Sequence, residues 1–434
     1  MDKLSGRVDA LTPEQRALLE ARVKKKGLIV DGPRKTDGVM RDANAAGSRA
    51  PLLDLSLPDE RDRQMKFSLY FFSDDGSSSE SEKYALVLES AKFADLNGFS
   101  AIWTPERHFQ KFGGLYPNPS VLAAALSVIT TRIQIRAGSV ALPLHHPVRV
   151  AEEWSVVDNL SHGRAGVSFA SGWHPDDFIF APSVYENRKE IMFDYIDKIK
   201  RLWAGEEVAF ESANETALPL RILPKPIQAS LPVWITTAGN PATWAKAGEI
   251  GANVLCALVG YSFEDLAGLI QLYRKSRAEN GHGALAGQVT VMVHTYIGED
   301  EDAVKEIVRD PMCGYLSSYF QQFEGVAQGS DSVTAADRFA IVSRAFETYY
   351  DASLLIGTMN KCRVLVDRLA DAGVDEVACL IDFGLDFNTV IEGLDRLRTL
   401  KQQYDPGRRL GALGVPSQYD GTASTGVRSS FEAP

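Results

Sequence analysis

Three short stretches of this chain bring together residue types that could do chemistry. WTPERHF (103–109) sets Trp103, Glu106, Arg107 and His108 side by side. An imidazole titrates near neutral pH, so His108 can give or take a proton. The guanidinium of Arg107 stays protonated, so it can act only as a donor or fixed positive charge, beside a developing oxyanion or a substrate carboxylate. An ion pair with Glu106 is the plainer use of that charge. SGWHPDDF (171–178) offers Gly172 for close backbone approach and Trp173 as a flat apolar surface for an aromatic ligand. Asp176 and Asp177 suit the solvated first turn of a helix. TTAGNPAT (236–243) runs through Thr237, Ala238, Gly239 and Asn240 into Pro241, a residue suited to the first turn of a helix. Backbone N–H groups at such a start favour a bound phosphate, although the same residues also make an ordinary turn.

Other patterns narrow the chemistry. Neither G-x-G-x-x-G nor G-x-x-x-x-G-K-[ST] occurs, so a phosphate needs a different cradle. His145 and His146 precede Pro147, but adjacent side chains diverge and no carboxylate has ligand spacing, so no metal site is expected. Cys256, Cys313, Cys362 and Cys379 lie far apart without a CxxC, which argues against a zinc site or a disulfide framework and suits a reducing cytoplasm. The net charge of −11 argues against a nucleic-acid surface, and Lys24-Lys25-Lys26 is a short exception that fits a solvated helix end. The start, MDKLSGRVDA, is charged, and no run approaches the roughly 18 apolar residues of a membrane span. The expectation is a soluble, unexported, cytoplasmic protein.

Each of the three stretches follows a run that reads as a strand. With 45% hydrophobic and 24% charged residues over 434 positions, the composition is that of a globular protein with one large core and appendages. From Met65 onward, apolar runs alternate with helical patterns: KFSLYFF, SAIWT (100–104), IQIRAGSVAL (133–142), RAGVSFAS (164–171), PVWITTA (232–238), ANVLCALV (252–259), TVMVHTYI (290–297) and VDEVACLIDF (374–383). Eight strands apolar on both faces and separated by helices predict an α/β fold, a (β/α)8 TIM barrel, with an open doubly wound sheet as the alternative. Ser79 and Glu82 form a capping box for the first helix, which should close at Gly98. Long insertions follow strands 4 (about 176–231) and 7 (about 298–373), the second with a helical stretch from Phe339 to Tyr350; such loops build a barrel's mouth. Residues 1–64 read as a helix starting near Leu11 and a partly disordered linker, 65–404 as the barrel, and 405–434 as a disordered tail.

Read in order, GFSAIWTPERHF, GLYPNPSVLAAAL, ALPLHHPVRVAEEWSVVDNLSHGRAGVSFASGWHPDDF, ENRKEIMFDYIDKIKRLW and PVWITTAGNPATWAKAGEIGANVL resemble the bacterial luciferase-like flavin-dependent monooxygenases. The most specific part is P-x-H-H-P-V-R-x-A-E-E-x-x-x-x-D-x-L-S-x-G-R (143–164), with many fixed positions at fixed spacing. The chain is most similar to the subgroup associated with polyketide and nonribosomal-peptide assembly lines, and LTPEQRALLEARVKKKG (11–27) resembles a linker of such enzymes. The resemblance implies reduced FMN across the C-terminal strand ends, with its phosphate near Ser171 and Thr237 to Asn240. It implies a non-proline cis peptide under the flavin ring at Gly138 and Ser139, with Trp103, Gly172 and Trp173 among the cofactor-binding residues. Two departures stand out. The luciferase catalytic histidine falls on Arg107, with the next histidine at His108, and a flavin-phosphate arginine falls on Ser171, for which Arg149 could compensate.

The implied reaction forms a C4a-peroxyflavin from O2 and reduced FMN, the latter supplied by a separate NAD(P)H-dependent flavin reductase. It then oxygenates a small or carrier-bound natural-product intermediate by hydroxylation, Baeyer–Villiger insertion or N-oxidation. His108 and Arg107 are the catalytic candidates, and a homodimer is the expected assembly. Two other readings use the same barrel: an oxidoreductase dependent on the deazaflavin F420, and a catalytically inactive flavin-binding or docking module.

Overall fold

The computed structural model describes residues 64–72, 83–110, 113–258, 261–326 and 335–405. The expected N-terminal helix and linker, the Ser79/Glu82 capping box and the C-terminal tail lie outside these residues.

The first half of the chain runs β1 (Lys66–Tyr70), α1 (Ala85–Leu96), β2 (Ala101–Thr104), α2 (Pro119–Ile129), β3 (Gln134–Ala141), α3 (Pro147–Leu160) and β4 (Ala165–Ala170). Next come α4 (Arg188–Trp203), a hairpin of β5 (Val208–Glu211) and β6 (Ala217–Leu220), β7 (Val233–Thr236), α5 (Pro241–Glu249), β8 (Asn253–Ala257), α6 (Phe263–Glu279) and β9 (Val289–Gly298). The chain ends with α7 (Glu301–Val326), α8 (Ala335–Ala352), β10 (Leu355–Thr358), α9 (Met359–Asp371), β11 (Glu376–Leu380) and α10 (Phe387–Gln402). Parallel pairing in the order β9-β11-β1-β2-β3-β4-β7-β8, with β8 returning to β9, closes a barrel of the eight strands read from the sequence. α1 is capped by Asn97 and the chain turns at Gly98, whose φ of 70° suits a residue without a side chain.

The connection after β9 is more than a loop. α7 and α8 precede β10, which pairs with the outer part of β9 at Thr295 to Gly298 and adds a ninth parallel strand outside the barrel. Four residues, LIGT, carry too short a pattern to separate a strand from a buried loop. The β5–β6 hairpin, whose residues are largely exposed, likewise lacks a strong apolar alternation.

Alternation along the strands sorts the barrel interior into layers. Near the N-terminal ends of the strands, Arg136 donates to Glu376 at 2.7 Å, and its guanidinium lies 4.8 Å from the Trp103 ring and 4.3 Å from the Trp234 ring. Higher up, Tyr70, Gly138, Ser168, Thr236, Met292 and His294 take the inward positions. The C-terminal mouth is therefore lined by a mixture of small, hydroxyl and ring side chains.

Candidate active site

Arg107 and His108 leave the end of β2 in different directions. The Arg107 backbone N–H donates to the Tyr116 carbonyl at 2.8 Å. Its side chain runs past Gly113, where a Cβ would come within 2.6 Å of the Arg107 Cγ. The guanidinium is almost fully buried, 5.2 Å from the Phe72 ring and 5.8 Å from the Trp173 ring. Asp177, Tyr315 and Tyr319 share its surroundings. Asp177 is thus drawn toward the site from the short 3-10 turn Pro175–Phe180, instead of standing in solvent as the sequence suggested. Burial raises the Asp177 carboxyl above its usual range despite the attraction of Arg107. Tyr315 and Tyr319 come from α7, so the long segment after β9 reaches the mouth.

His108 turns the other way. Its Nε2 lies 2.9 Å from Glu106 Oε1, and its ring meets Phe180 edge-on at 4.9 Å. The same carboxylate oxygen lies 2.6 Å from His145 Nε2, and the Ala141 N–H donates to the other oxygen at 2.8 Å. The Glu106–Arg107 ion pair that adjacency suggested does not form, because the carboxylate is engaged by two imidazoles and a backbone amide. Burial opposes ionisation of Glu106, but those hydrogen bonds hold its carboxyl below the usual range. Burial likewise opposes protonation of His145, and the hydrogen bond to Glu106 reverses the balance, so its imidazole sits above the ordinary value. Separated by 39 positions, Glu106 and His145 give no local signal of this contact in the sequence.

The other side of the mouth carries neutral donors. The Gly138–Ser139 peptide bond is cis, and the Tyr70 hydroxyl donates to the Gly138 carbonyl. A Cβ at Gly138 would meet Tyr70 at 2.8 Å and Trp103 at 3.1 Å, so glycine is required where the strand crosses these rings. Trp103 is fully buried with its Nε1 on Ser68 at 3.0 Å; it underlies Gly138 and exposes no face of its own. The Ser139, Thr236 and Ser168 hydroxyls form a string with spacings of 2.8 and 2.7 Å. Asn240 caps α5 by accepting from the Ala242 N–H at 3.0 Å, with Pro241 in the first turn. Thr237 donates to the Ala238 carbonyl at 3.0 Å, and Gly239 lies beside the Tyr261 ring. Gly172, with a φ of 72°, makes room for Phe178, and half-buried Ser171 follows β4. Arg149 is exposed and paired with Glu153 at 2.7 Å.

His294, near the outer end of β9, escaped the sequence reading. It is buried between Tyr315 (4.5 Å) and Phe383 (5.8 Å), and neither ring nitrogen has a hydrogen-bond partner among the described residues. Burial pushes its imidazole down to about 3, so it is neutral at physiological pH. Among the described residues no group of three or more His, Cys, Asp or Glu is arranged to hold a metal ion.

A hydroxyl string beside an open helix start, facing a buried cation across a barrel mouth, suits a phosphorylated planar ligand. Comparison with known proteins decides the lineage, since the family described as luciferase-like monooxygenase matches residues 65–376. The chain belongs to the luciferase-like monooxygenases.

Its named relatives include monooxygenases. The oxygenase component of flavin-dependent trigonelline monooxygenase from Acinetobacter baylyi is 25% identical over 352 residues, covering 77% of this chain and 93% of that protein. The 4-hydroxyprotoasukamycin monooxygenase of Streptomyces nodosus subsp. asukaensis is 26% identical over 346 residues, covering 78% and 89%. Among solved structures, monooxygenase RslO1 from Streptomyces bottropensis superposes with a TM-score of 0.64 at 23% identity, covering 77% of this chain and 98% of that one. The oxygenating constituent of 3,6-diketocamphane monooxygenase from Pseudomonas putida, in complex with FMN, gives 0.62 at 17%, covering 77% and 97%. An F420-dependent secondary alcohol dehydrogenase gives 0.59 at 15%, covering 78% and 99%. The barrel is common to all three. No helix among the described residues is long and apolar enough to cross a membrane.

Proposed function

We propose that this luciferase-like monooxygenase is an oxygenase component that receives reduced FMN from a separate NAD(P)H-dependent flavin reductase and uses O2 to oxygenate a small or carrier-bound natural-product intermediate. The observation that carries the reading is the pairing of neutral donors on one side of the mouth with the buried guanidinium of Arg107 on the other. Hydroxyls and backbone N–H groups of Ser139, Ser171, Thr236 and Thr237 to Asn240 suit the flavin's ring edge and phosphate, with Gly138 and Gly172 permitting close approach. Bound reduced FMN would supply the electrons that activate O2.

The chain's own residues supply charge, proton transfer and exclusion of water. Arg107 stabilises negative charge that develops on oxygen, in a pocket where Phe72 and Trp173 keep the dielectric low. His108 holds or returns a proton. Tyr315 and Tyr319 of α7 close the mouth on the β9 side. A groove of about 630 Å³, lined by Asp176 and by the apolar side chains of Phe109, Phe178, Ile179, Pro182 and Tyr185, begins one residue past His108 and suits a largely apolar part of the substrate. The relative named as an oxygenase component supports a separate reductase, and the relative named for protoasukamycin supports a natural-product substrate. Exposed Val121 and Val128 on α2, and Val156 and Leu160 on the adjoining α3, suit a homodimer face.

The test is anaerobic titration of the protein with reduced FMN, then mixing with O2 while flavin absorbance and oxygen consumption are followed. Tight binding of reduced FMN and flavin oxidation altered by the protein are expected. Failure to bind reduced FMN, or turnover with reduced F420 and no oxygen demand, rejects the proposal.

A further inference from the structure

Two side chains, Glu106 and His145, bear on the acid–base group beside the buried Arg107. Glu106 is almost completely enclosed, at 1% side-chain exposure, while the His108 and His145 side chains are 10% and 32% exposed. Both imidazoles reach the same carboxylate oxygen through Nε2. An ionised carboxylate can only accept, so each Nε2 must carry a hydrogen. For a neutral His108 this leaves Nδ1 as the lone-pair nitrogen. For His145, a second proton on Nδ1 makes an imidazolium that balances the carboxylate. A buried carboxylate without a cation is costly, and within this array His145 is the positive partner that His108 need not be.

We infer that Glu106 and His145 are positioning residues for His108: Glu106 fixes His108 as the Nε2–H tautomer, leaving Nδ1 to take and return the proton, and His145 neutralises Glu106. The inference rests on the monooxygenase reading for the reaction that His108 serves, but the array itself needs no flavin. During turnover the bond formed is Nδ1–H and the bond broken is that of the reacting group's hydrogen; the resulting imidazolium returns the same proton to an oxygen of the product side. Other groups face the array. Arg107 and Asp177 lie on the site side with His174 behind Asp177, and Glu153 of α3 faces His145.

The experiment has two arms. The first records ring-nitrogen spectra of the ¹⁵N-histidine-labelled full chain across pH, without cofactor, for the native protein, Glu106→Gln and His145→Gln. His108 is expected as the Nε2–H form in the native protein. The His145 midpoint should fall by at least about one pH unit in E106Q, a tenfold loss of proton affinity, and His108 should no longer be held in a single tautomer there. The second arm measures reoxidation of bound reduced FMN by O2 against pH, with thermal melting to confirm that each variant is folded. The pH dependence of the rate is expected to shift in E106Q and H145Q while affinity for reduced FMN stays within about twofold. An Nδ1–H tautomer at His108 in the native protein, or a His145 midpoint unchanged in E106Q, overturns the array. A shifted His145 midpoint with an unmoved rate limb overturns the positioning role. A native protein that titrates as expected but binds no reduced FMN counts against the monooxygenase reading and, with it, against the role of His108 in that reaction, leaving the array as a structural ion pair.

Discussion

The barrel holds two buried charged clusters, and they are built to opposite rules. Near the N-terminal ends of the strands, Glu376 accepts from Arg136 at 2.7 Å, Ser100 at 2.6 Å and Thr290 at 3.2 Å, and also from Gln288; Arg136 in turn binds Gln134. Burial opposes ionisation of Glu376, yet Arg136 and the hydroxyls hold its carboxyl below the usual range. That cluster is closed, with the Trp103 and Trp234 rings packed against the guanidinium. At the C-terminal mouth Glu106 is satisfied in the same way, but the Arg107 guanidinium is set beside the Phe72 and Trp173 rings and His294 has no partner among the described residues. A closed network spends its hydrogen-bonding capacity on the fold, whereas an open one keeps capacity for a ligand. Stability is thus expected to depend on the first cluster and reaction on the second.

The largest expected effect breaks the closed cluster. Glu376→Leu leaves Arg136 buried without its carboxylate and should cost about 3–5 kcal/mol in chemical denaturation, much of it recovered in the double variant with Arg136→Met. Reduced-FMN affinity of whatever remains folded should be unchanged. In the mouth the ranking reverses. Arg107→Ala should lower the rate of oxygenation or of flavin-dependent oxygen consumption by about a hundredfold, on the order of 2.7 kcal/mol, with a smaller change in stability. A melting loss larger than the rate loss would move Arg107 into the structural class.

A third expectation concerns pH. Burial keeps His294 neutral down to about 3, whereas the unfolded chain protonates it below its ordinary value of 6.5. The unfolded state therefore binds the extra proton, and stability should fall by about 1.4 kcal/mol per pH unit as pH drops below about 6.5, or ~2 kcal/mol by about pH 5. His294→Phe should flatten that slope in denaturation curves taken at several pH values. An unchanged slope would show that the imidazole reaches solvent or a carboxylate. The smallest effect is expected outside both clusters. Arg149→Ala removes an exposed ion pair with Glu153 and should change stability by less than about 0.5 kcal/mol. Unchanged affinity for reduced FMN in this variant would rule Arg149 out as the cation that replaces the missing phosphate arginine at Ser171.

Much of the fold was legible because strand and helix periods are local. KFSLYFF, IQIRAGSVAL and VDEVACLIDF carry continuous apolar runs that a strand buried on both faces requires, and each contains an observed strand. Helix starts were readable for the same reason: Asn240 and Pro241 meet at one cap. β10 was missed because four residues hold no period. The β5–β6 hairpin was missed because its residues are largely exposed.

The site divides along the same line. Residue type and order determined that Arg107 could hold only a charge, that His108 could move a proton, and that the turn through Gly239 opens a helix. They also carried the resemblance that the family match upheld. Direction was decided by the tertiary structure. Only the closed barrel sends Arg107 under Trp173 and His108 toward Glu106, brings His145 to the same carboxylate from 39 residues away, and encloses His294 between Tyr315 and Phe383. The physical reason is that a side chain's chemistry belongs to the residue, while its protonation state, partners and access to solvent belong to its neighbours, and in a barrel those neighbours come from strands far apart in the chain.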